Sequence, residues 1–187
     1  MNIEERFIQS IDNLLSPDEC KHFIDLLDND SLVDVERPDL AYYQRNIWIN
    51  DAFADTIYNR IQSYLPIGTK RCNEYFRFSK YVPGQEFRLH TDGTNMDRYG
   101  NHSKYTVNIF LNEGFMGGET DFFNYEGRPV FRAKPHVGRA MLFDREIYHC
   151  GRKVIVGTKY LLRTDVMIPI ERSEEDTSSY KEITLVA

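Results

Sequence analysis

From Pro66 onward the chain is a succession of short strand-like segments, and that succession limits the folds open to it. The segments "EYFRFSKYV", "KYTVNIFLNE", "TDFFNYE", "RPVFRAK", "RAMLFD" and "KYLLRTDVMI" are rich in β-branched and aromatic residues. Turn signals separate them: Pro83-Gly84, Gly117-Gly118, Gly127, Gly138, Gly151 and Gly157. Strands this short and this closely spaced build sandwiches and barrels, not parallel α/β sheets. An aromatic content of 13% suits such an interior.

The chain before Pro66 reads differently. "SPDECKHFIDLLDN" predicts a helix whose start is marked three times: Ser16 as N-cap, Pro17 in the first turn, and Glu19 completing a capping box. Phe23, Leu26 and Leu27 form its expected buried stripe. A second helix is predicted after Asn50, with Phe53, Ile57, Ile61 and Leu65 repeating every four residues and Pro66 as the stop. Between the two, "RNIWIN" alternates like a strand. The pattern predicts a mainly β protein with N-terminal α structure, helices packed on a β-sandwich or jelly roll. The expected organisation is one domain over 1–170, with 1–70 as helical support and 71–170 as the β core. The stretch "ERSEEDTSSYKE" predicts a polar C-terminal tail over 171–187.

Charge and composition narrow the partners. Of 187 residues, 41% are apolar and 28% charged, as in a soluble globular protein. A net charge of −6 supplies no overall field for nucleic acid or anionic lipid, so neither is an expected partner. Arg128, Arg132, Lys134 and Arg139 form a local basic cluster, expected to be a solvated strand edge. Three cysteines without a CxxC pair fit a reducing compartment, and no apolar run approaches membrane-spanning length. A cytoplasmic location is the expectation. Oligomeric state is not encoded legibly.

One tripeptide carries metal chemistry. His90-x-Asp92, in "FRLHTDGTNMDRYG", offers an imidazole and a carboxylate at the end of a strand. Four other histidines are candidates for a third ligand. His22 lies in the first helix, His102 in a polar loop, and His136 in a proline-glycine turn. His149 ends "RAMLFDREIYHCG" where a strand leaves the core, and it is best placed to face His90 across a sandwich. Two imidazoles and one carboxylate make a facial triad for iron, or a zinc site with a bound water; the ligand set alone does not separate them. Downstream, Lys159 and Arg163 stand ten and fourteen residues after His149 and share one strand face with Leu161. An inward-facing cation demands an anion. A dicarboxylate chelating the metal at its other end meets that demand, as does a structural pair of Arg163 with Asp165. The polar segment 93–104, "GTNMDRYGNHSK", is expected to be a mobile loop at the site entrance.

At this point the residues resemble a known family. "KYVPGQEFRLHTDG", "YTVNIFLNEGFMGGETDFF" and "GRAMLFDREIYHCGRKVIVGTKYLLRTDVMI" look like the core of the Fe(II)- and 2-oxoglutarate-dependent dioxygenases, and most like the prolyl 4-hydroxylase branch. The likeness spans roughly residues 73–170. It implies a double-stranded β-helix, a cupin-like jelly roll supported by two or more helices. It implies Fe(II) on His90, Asp92 and His149, with 2-oxoglutarate and O2 as cosubstrates and ascorbate as a candidate reductant. Lys159 matches the residue that grips the far carboxylate of 2-oxoglutarate, and Tyr81 and Phe110 match aromatic positions lining that pocket. Phe110 departs from the tyrosine often found there. "RTD" after "KYLL" is a second departure, and it leaves Arg163 either sharing the clamp or facing the primary substrate. The implied reaction is hydroxylation of a C–H bond with release of succinate and CO2. Candidate substrates are a prolyl residue of a peptide or protein, or a small molecule. A cupin-like metal hydrolase, a dioxygenase independent of 2-oxoglutarate, and a non-catalytic binding module on the same scaffold are the alternatives.

Overall fold

A computed structural model describes residues 7–170. The expected tail at 171–187 lies outside the described residues. The N-terminal part holds β1 (Ile8–Ile11), α1 (Pro17–Asp28), β2 (Val33–Arg37), β3 (Ala41–Ile49) and α2 (Asp51–Ile61). Then come β4 (Arg71–Cys72), β5 (Tyr75–Tyr81), β6 (Glu86–His90), β7 (His102–Phe110) and β8 (Met116–Gly117). The series ends with β9 (Thr120–Phe123), β10 (Pro129–Ala133), β11 (Ala140–Asp144), β12 (Tyr148–Gly151), β13 (Val154–Val156) and β14 (Lys159–Ile168). The described residues up to 70 are therefore more than helical support, because β1, β2 and β3 all join the main sheet. No described helix is long and apolar enough to cross a membrane.

The main sheet has twelve strands and the path order β1-β11-β7-β14-β5-β3-β6-β12-β9-β10, with β2 and β4 attached to β3 and β14. All the paired strands run antiparallel. The sheet folds over on itself into a nearly closed, jelly-roll-like barrel. Strand alternation then assigns each residue to one of two environments. One face carries Phe76, Phe78, Val107, Ile109, Leu142, Leu162 and Val166 onto the helices, against Cys20, Phe23, Leu27, Ala54, Ile57 and Ile61. The other turns into the barrel, where Phe110, Phe122, Met141, Phe143 and Leu161 form a second cluster. Burial of each large side chain of this kind contributes about 1.5–3 kcal/mol.

The first helix starts as the sequence predicts. Ser16 Oγ accepts from the Glu19 amide and Glu19 accepts from the Ser16 amide. Its buried stripe is Cys20, Phe23 and Leu27, a spacing of three and four; Leu26 falls outside that stripe and is 51% exposed. The second helix is capped by Asn50, whose side chain accepts from the Phe53 amide. It stops at Ile61, earlier than Pro66 suggests, through a 3-10 turn at 62–64. Leu65 is already extended (φ −90°, ψ 145°), as a residue preceding proline prefers.

Of two polar stretches, one matches expectation and one differs. The basic cluster lies on and around the solvated edge strand β10, with three of its four cations ion-paired: Arg128 to Glu126 at 3.0 Å, Arg132 to Asp121 at 2.6 Å, and Arg139 to Asp12 at 2.5 Å. The segment after Asp92, read from sequence as mobile, is pinned by its own polar residues. Asp97 accepts from the amides of Tyr99 and Asn101, both at 2.9 Å. Arg98 reaches Glu74 at 3.0 Å and Asp51 at 2.6 Å. Residues 102–104 already belong to β7.

Candidate active site

Antiparallel register brings the sequence-predicted residues into one cavity. β6 and β12 pair with His90 directly opposite His149. Asp92, just beyond β6, is fixed by its amide donating to the Arg145 carbonyl at 2.9 Å. One ligand atom from each of His90, Asp92 and His149 lies within 4.8 Å of the others. His136 sits apart, in an exposed turn with Glu113 at 2.5 Å.

Both rings are oriented by backbone. His90 Nδ1 contacts the Arg88 carbonyl at 2.7 Å and His149 Nδ1 contacts the Ile147 carbonyl at 2.9 Å. A carbonyl only accepts, so each Nδ1 carries the proton and each Nε2 keeps its lone pair. Those Nε2 atoms stand 3.6 Å and 3.7 Å from the two oxygens of Asp92. Aromatic rings hold the imidazoles in place: Phe87 stacks on His90 at 3.9 Å, and Phe143 meets His149 edge-on at 4.8 Å. Burial lowers the His149 pKa to about 4, against the attraction of Asp92, so the ring is a neutral ligand at physiological pH. Burial opposes ionisation of Asp92. The Arg163 guanidinium and the Thr106 hydroxyl act against it, and the carboxyl is held well below its usual range.

The opposite wall comes from β14, β5 and β7. Pairing sets Lys159 beside Tyr81, Leu161 beside Ser79 and Phe110, and Arg163 beside Arg77 and Asn108. Lys159, Leu161 and Arg163 therefore share the inward face, as the period-two argument predicts. Tyr43 of β3 stacks on Tyr81 at 4.9 Å. The cavity between the walls is narrow, with a volume of about 60 Å³. Tyr43, Arg77, Ser79, Asn108 and Thr120 line it without having been singled out in the sequence. Counting back in twos from Tyr81 and Phe110 reaches Ser79, Arg77 and Asn108, so strand parity was a usable signal.

The two cations have different surroundings. Lys159 is 2% exposed; its ammonium donates to the Gly118 carbonyl at 2.7 Å and lies 5.2 Å from the Tyr81 ring and 5.5 Å from the Phe110 ring. It makes no ion pair among the described residues. Burial depresses its pKa to about 8, with Glu119 acting in the opposite sense. Gly118 permits the close approach: at φ +70° a side chain is strained, and a Cβ would lie 3.2 Å from Lys159 Cδ. Arg163 is already satisfied by acids, with Nη1 2.7 Å from Asp92 and Nη2 3.2 Å from Asp165.

The donor set fits the group that such a triad would hold. Two imidazoles and a carboxylate converge on one point, which suits a divalent iron with open positions. A cation without an acid partner lines the same cavity, and Asn108 Oδ1 and Arg163 Nε are buried there without a hydrogen-bond partner. The 2OG-Fe(II) oxygenase superfamily model matches residues 76–164, the stretch that contains the triad and both cations. Over that stretch, a little under half of the chain, the sequence is that of a 2OG-Fe(II) oxygenase. The cofactors of this superfamily are Fe(II), 2-oxoglutarate and O2.

Solved structures share the fold of this oxygenase. A viral collagen prolyl hydroxylase from Paramecium Bursaria Chlorella virus-1, in a 2OG complex, is 22% identical with a TM-score of 0.65; the match covers 88% of this chain and 98% of the viral one. A Pseudomonas putida prolyl-4-hydroxylase is 19% identical with a TM-score of 0.68, covering 91% and 96%. A Trichoplax adhaerens prolyl hydroxylase, in complex with a hypoxia inducible factor peptide fragment, is 16% identical with a TM-score of 0.63, covering 89% and 86%. At these identities the likeness is one of fold. A search of curated protein sequences returns no significant match.

Proposed function

We propose that this oxygenase hydroxylates a prolyl residue of a peptide or protein, with His90, Asp92 and His149 holding Fe(II) and Lys159 binding the far carboxylate of 2-oxoglutarate. The observation that carries the cosubstrate assignment is the buried, unpaired Lys159 ammonium on the wall facing the triad. An interior charge of that kind is costly unless an anion joins it. Arg163 is a weaker candidate for the clamp because Asp92 and Asp165 already occupy its fork. Tyr81 and Phe110 flank the ammonium and exclude water from it. Phe110 contributes no hydroxyl, so the polar grip at this end falls to Lys159 itself.

When bound, Fe(II) and 2-oxoglutarate supply the oxidising chemistry: O2, the cosubstrate and a C–H substrate yield succinate, CO2 and the hydroxylated product. The chain's own residues orient and shield. The His90 and His149 carbonyl contacts fix the ligand tautomers, Phe87 and Phe143 fix the ring planes, and Lys159 sets the direction in which a dicarboxylate enters. A metal hydrolase on the same scaffold leaves Lys159 without a purpose, and a retired binding module has no need of an intact triad. The prolyl peptide is supported by the fold shared with prolyl hydroxylases. Purified protein with Fe(II), 2-oxoglutarate and a panel of proline-containing peptides is expected to form succinate together with a peptide mass gain of one oxygen. Succinate without oxidised peptide, across a panel that includes small molecules hydroxylated in its place, would overturn the prolyl assignment. No succinate under any condition would overturn the assignment of cosubstrate.

Cosubstrate affinity should depend on pH in a definite direction. Free Lys159 gives up its proton near pH 8, and a bound carboxylate favours the protonated form. Affinity for 2-oxoglutarate is therefore expected to be level below about pH 8 and to weaken up to tenfold per unit above it. Titrating the Mn(II)-loaded protein between pH 7 and 9.5 checks this. Lys159→Arg, charged throughout, should flatten the profile.

A further inference from the structure

Asp165 is 1% exposed and gathers three donors: Arg77 at 3.0 Å, Asn95 Nδ2 at 2.8 Å and Arg163 Nη2 at 3.2 Å. Arg163 passes the connection on, its Nη1 lying 2.7 Å from Asp92 Oδ1. The other Asp92 oxygen accepts from Thr106 at 2.6 Å. Asn95 stands only three residues beyond Asp92. The chain thus leaves the ligand aspartate, and within one turn's length it is tied back to that same carboxylate through Asp165 and Arg163.

Two opposite consequences are open to an arginine beside a metal ligand. As a competitor, its charge occupies Asp92 and repels the dication, and its removal tightens metal binding. As a support, it fixes the carboxylate with one donor per oxygen and leaves a lone pair on each for the metal. The surroundings favour support. Asp165 neutralises the guanidinium at the side away from Asp92, and Arg77 and Asn95 hold Asp165 in turn. Asp92 has no strand pairing of its own to hold its side chain, since β6 ends at His90.

We propose that Arg163 and Asp165 form a positioning relay, which sets the Asp92 carboxylate for metal and couples metal loading to the order of residues 93–97 through Asn95. The proposal rests on the assignment of Asp92 as a metal ligand. Neither residue is catalytic in this account; both act through Asp92.

Co(II) titration followed by its visible spectrum, with hydrogen exchange of the 93–97 amides, tests the relay without any turnover. Arg163→Met is expected to weaken Co(II) at least tenfold and to alter the spectrum. Asn95→Ala changes no charge and lies outside the core. It is expected to speed exchange of 93–97, to weaken Co(II) about threefold or more, and to abolish the slowing of exchange that Co(II) produces in the native protein. Equal or tighter Co(II) binding by Arg163→Met would make Arg163 a competitor and overturn the relay. Faster exchange in Asn95→Ala with unchanged Co(II) affinity would overturn the coupling, and this variant decides the matter if Arg163→Met does not fold. Failure of the native protein itself to bind Co(II) would count against the triad, a result distinct from native binding that the variants retain.

Discussion

His149→Ala abolishes metal binding and turnover while the fold survives. The ring is one of three proposed ligands, and its Nε2 lone pair is aimed by the Ile147 carbonyl at the site shared with Asp92 and His90. Loss of an outer partner of a ligand typically costs about 10–100-fold in metal affinity, so loss of a ligand itself should exceed about 100-fold. The substitution also removes packing against Phe143 and Phe122, and some stability goes with it. His90→Ala separates the two effects. His90 lies at the more open edge of the site, 13% exposed in its side chain, and should lose metal with a smaller loss of stability. Metal titration with circular dichroism on both variants provides the check. Full metal affinity in His149→Ala, with loss in His136→Ala, would place the distal ligand elsewhere.

The second large effect is a trade between stability and function at Lys159. In Lys159→Met the cosubstrate loses its cationic partner, and 2-oxoglutarate affinity should fall by roughly 10–100-fold, the equivalent of a charge-assisted bond of about 1.5–3 kcal/mol. The metal-free protein should at the same time become more stable. Folded Lys159 releases its proton at about pH 8 and an ordinary lysine at 10.5. The penalty for burying the charge is therefore full below about pH 8 and fades as pH rises towards 10.5. It is on the order of 3 kcal/mol, and the gain in the variant should be a melting temperature higher by several degrees at pH 7. A variant that loses both stability and affinity would mean that the ammonium's bond to Gly118 is structural, and that the carboxylate clamp lies elsewhere.

The contrast between Lys159 and Arg163 shows what the sequence could carry. Parity along "KYLLRTD" places both cations on one face, and β14 obeys it. That is a local property of a strand, readable from spacing. Which cation is free is a non-local property. Arg77 and Asp165 are 88 residues apart, and the sequence offers no sign that they meet. The metal triad was legible because five histidines leave few combinations and only one other histidine ends a core strand. Thr106 and Asn108 share the parity of Phe110, which places them on its face, but which polar residue of that face meets the triad depends on a register that spacing does not give. Leu26 was misread for a related reason. Helical period gives the centre of the buried stripe well but not its width, which depends on what packs against it.

The position of β14 in the sheet has a consequence for how the molecule is assembled. It is the last described strand in the chain, yet it sits between β5 and β7 in the interior of the sheet. Until residue 159 and its followers arrive, β5 and β7 have no neighbour on that side. Two apolar edges then stand open for as long as synthesis takes to reach them. Their closure pairs Lys159 with Tyr81 and Leu161 with Phe110, across sequence gaps that make the step slow. The same late strand that completes the core brings in Lys159 and Arg163, whereas Arg77 stands on the earlier β5. An unfinished chain thus holds His90, Asp92 and His149 before Lys159 can join them, and the proposed grip on the cosubstrate arrives together with the closed barrel.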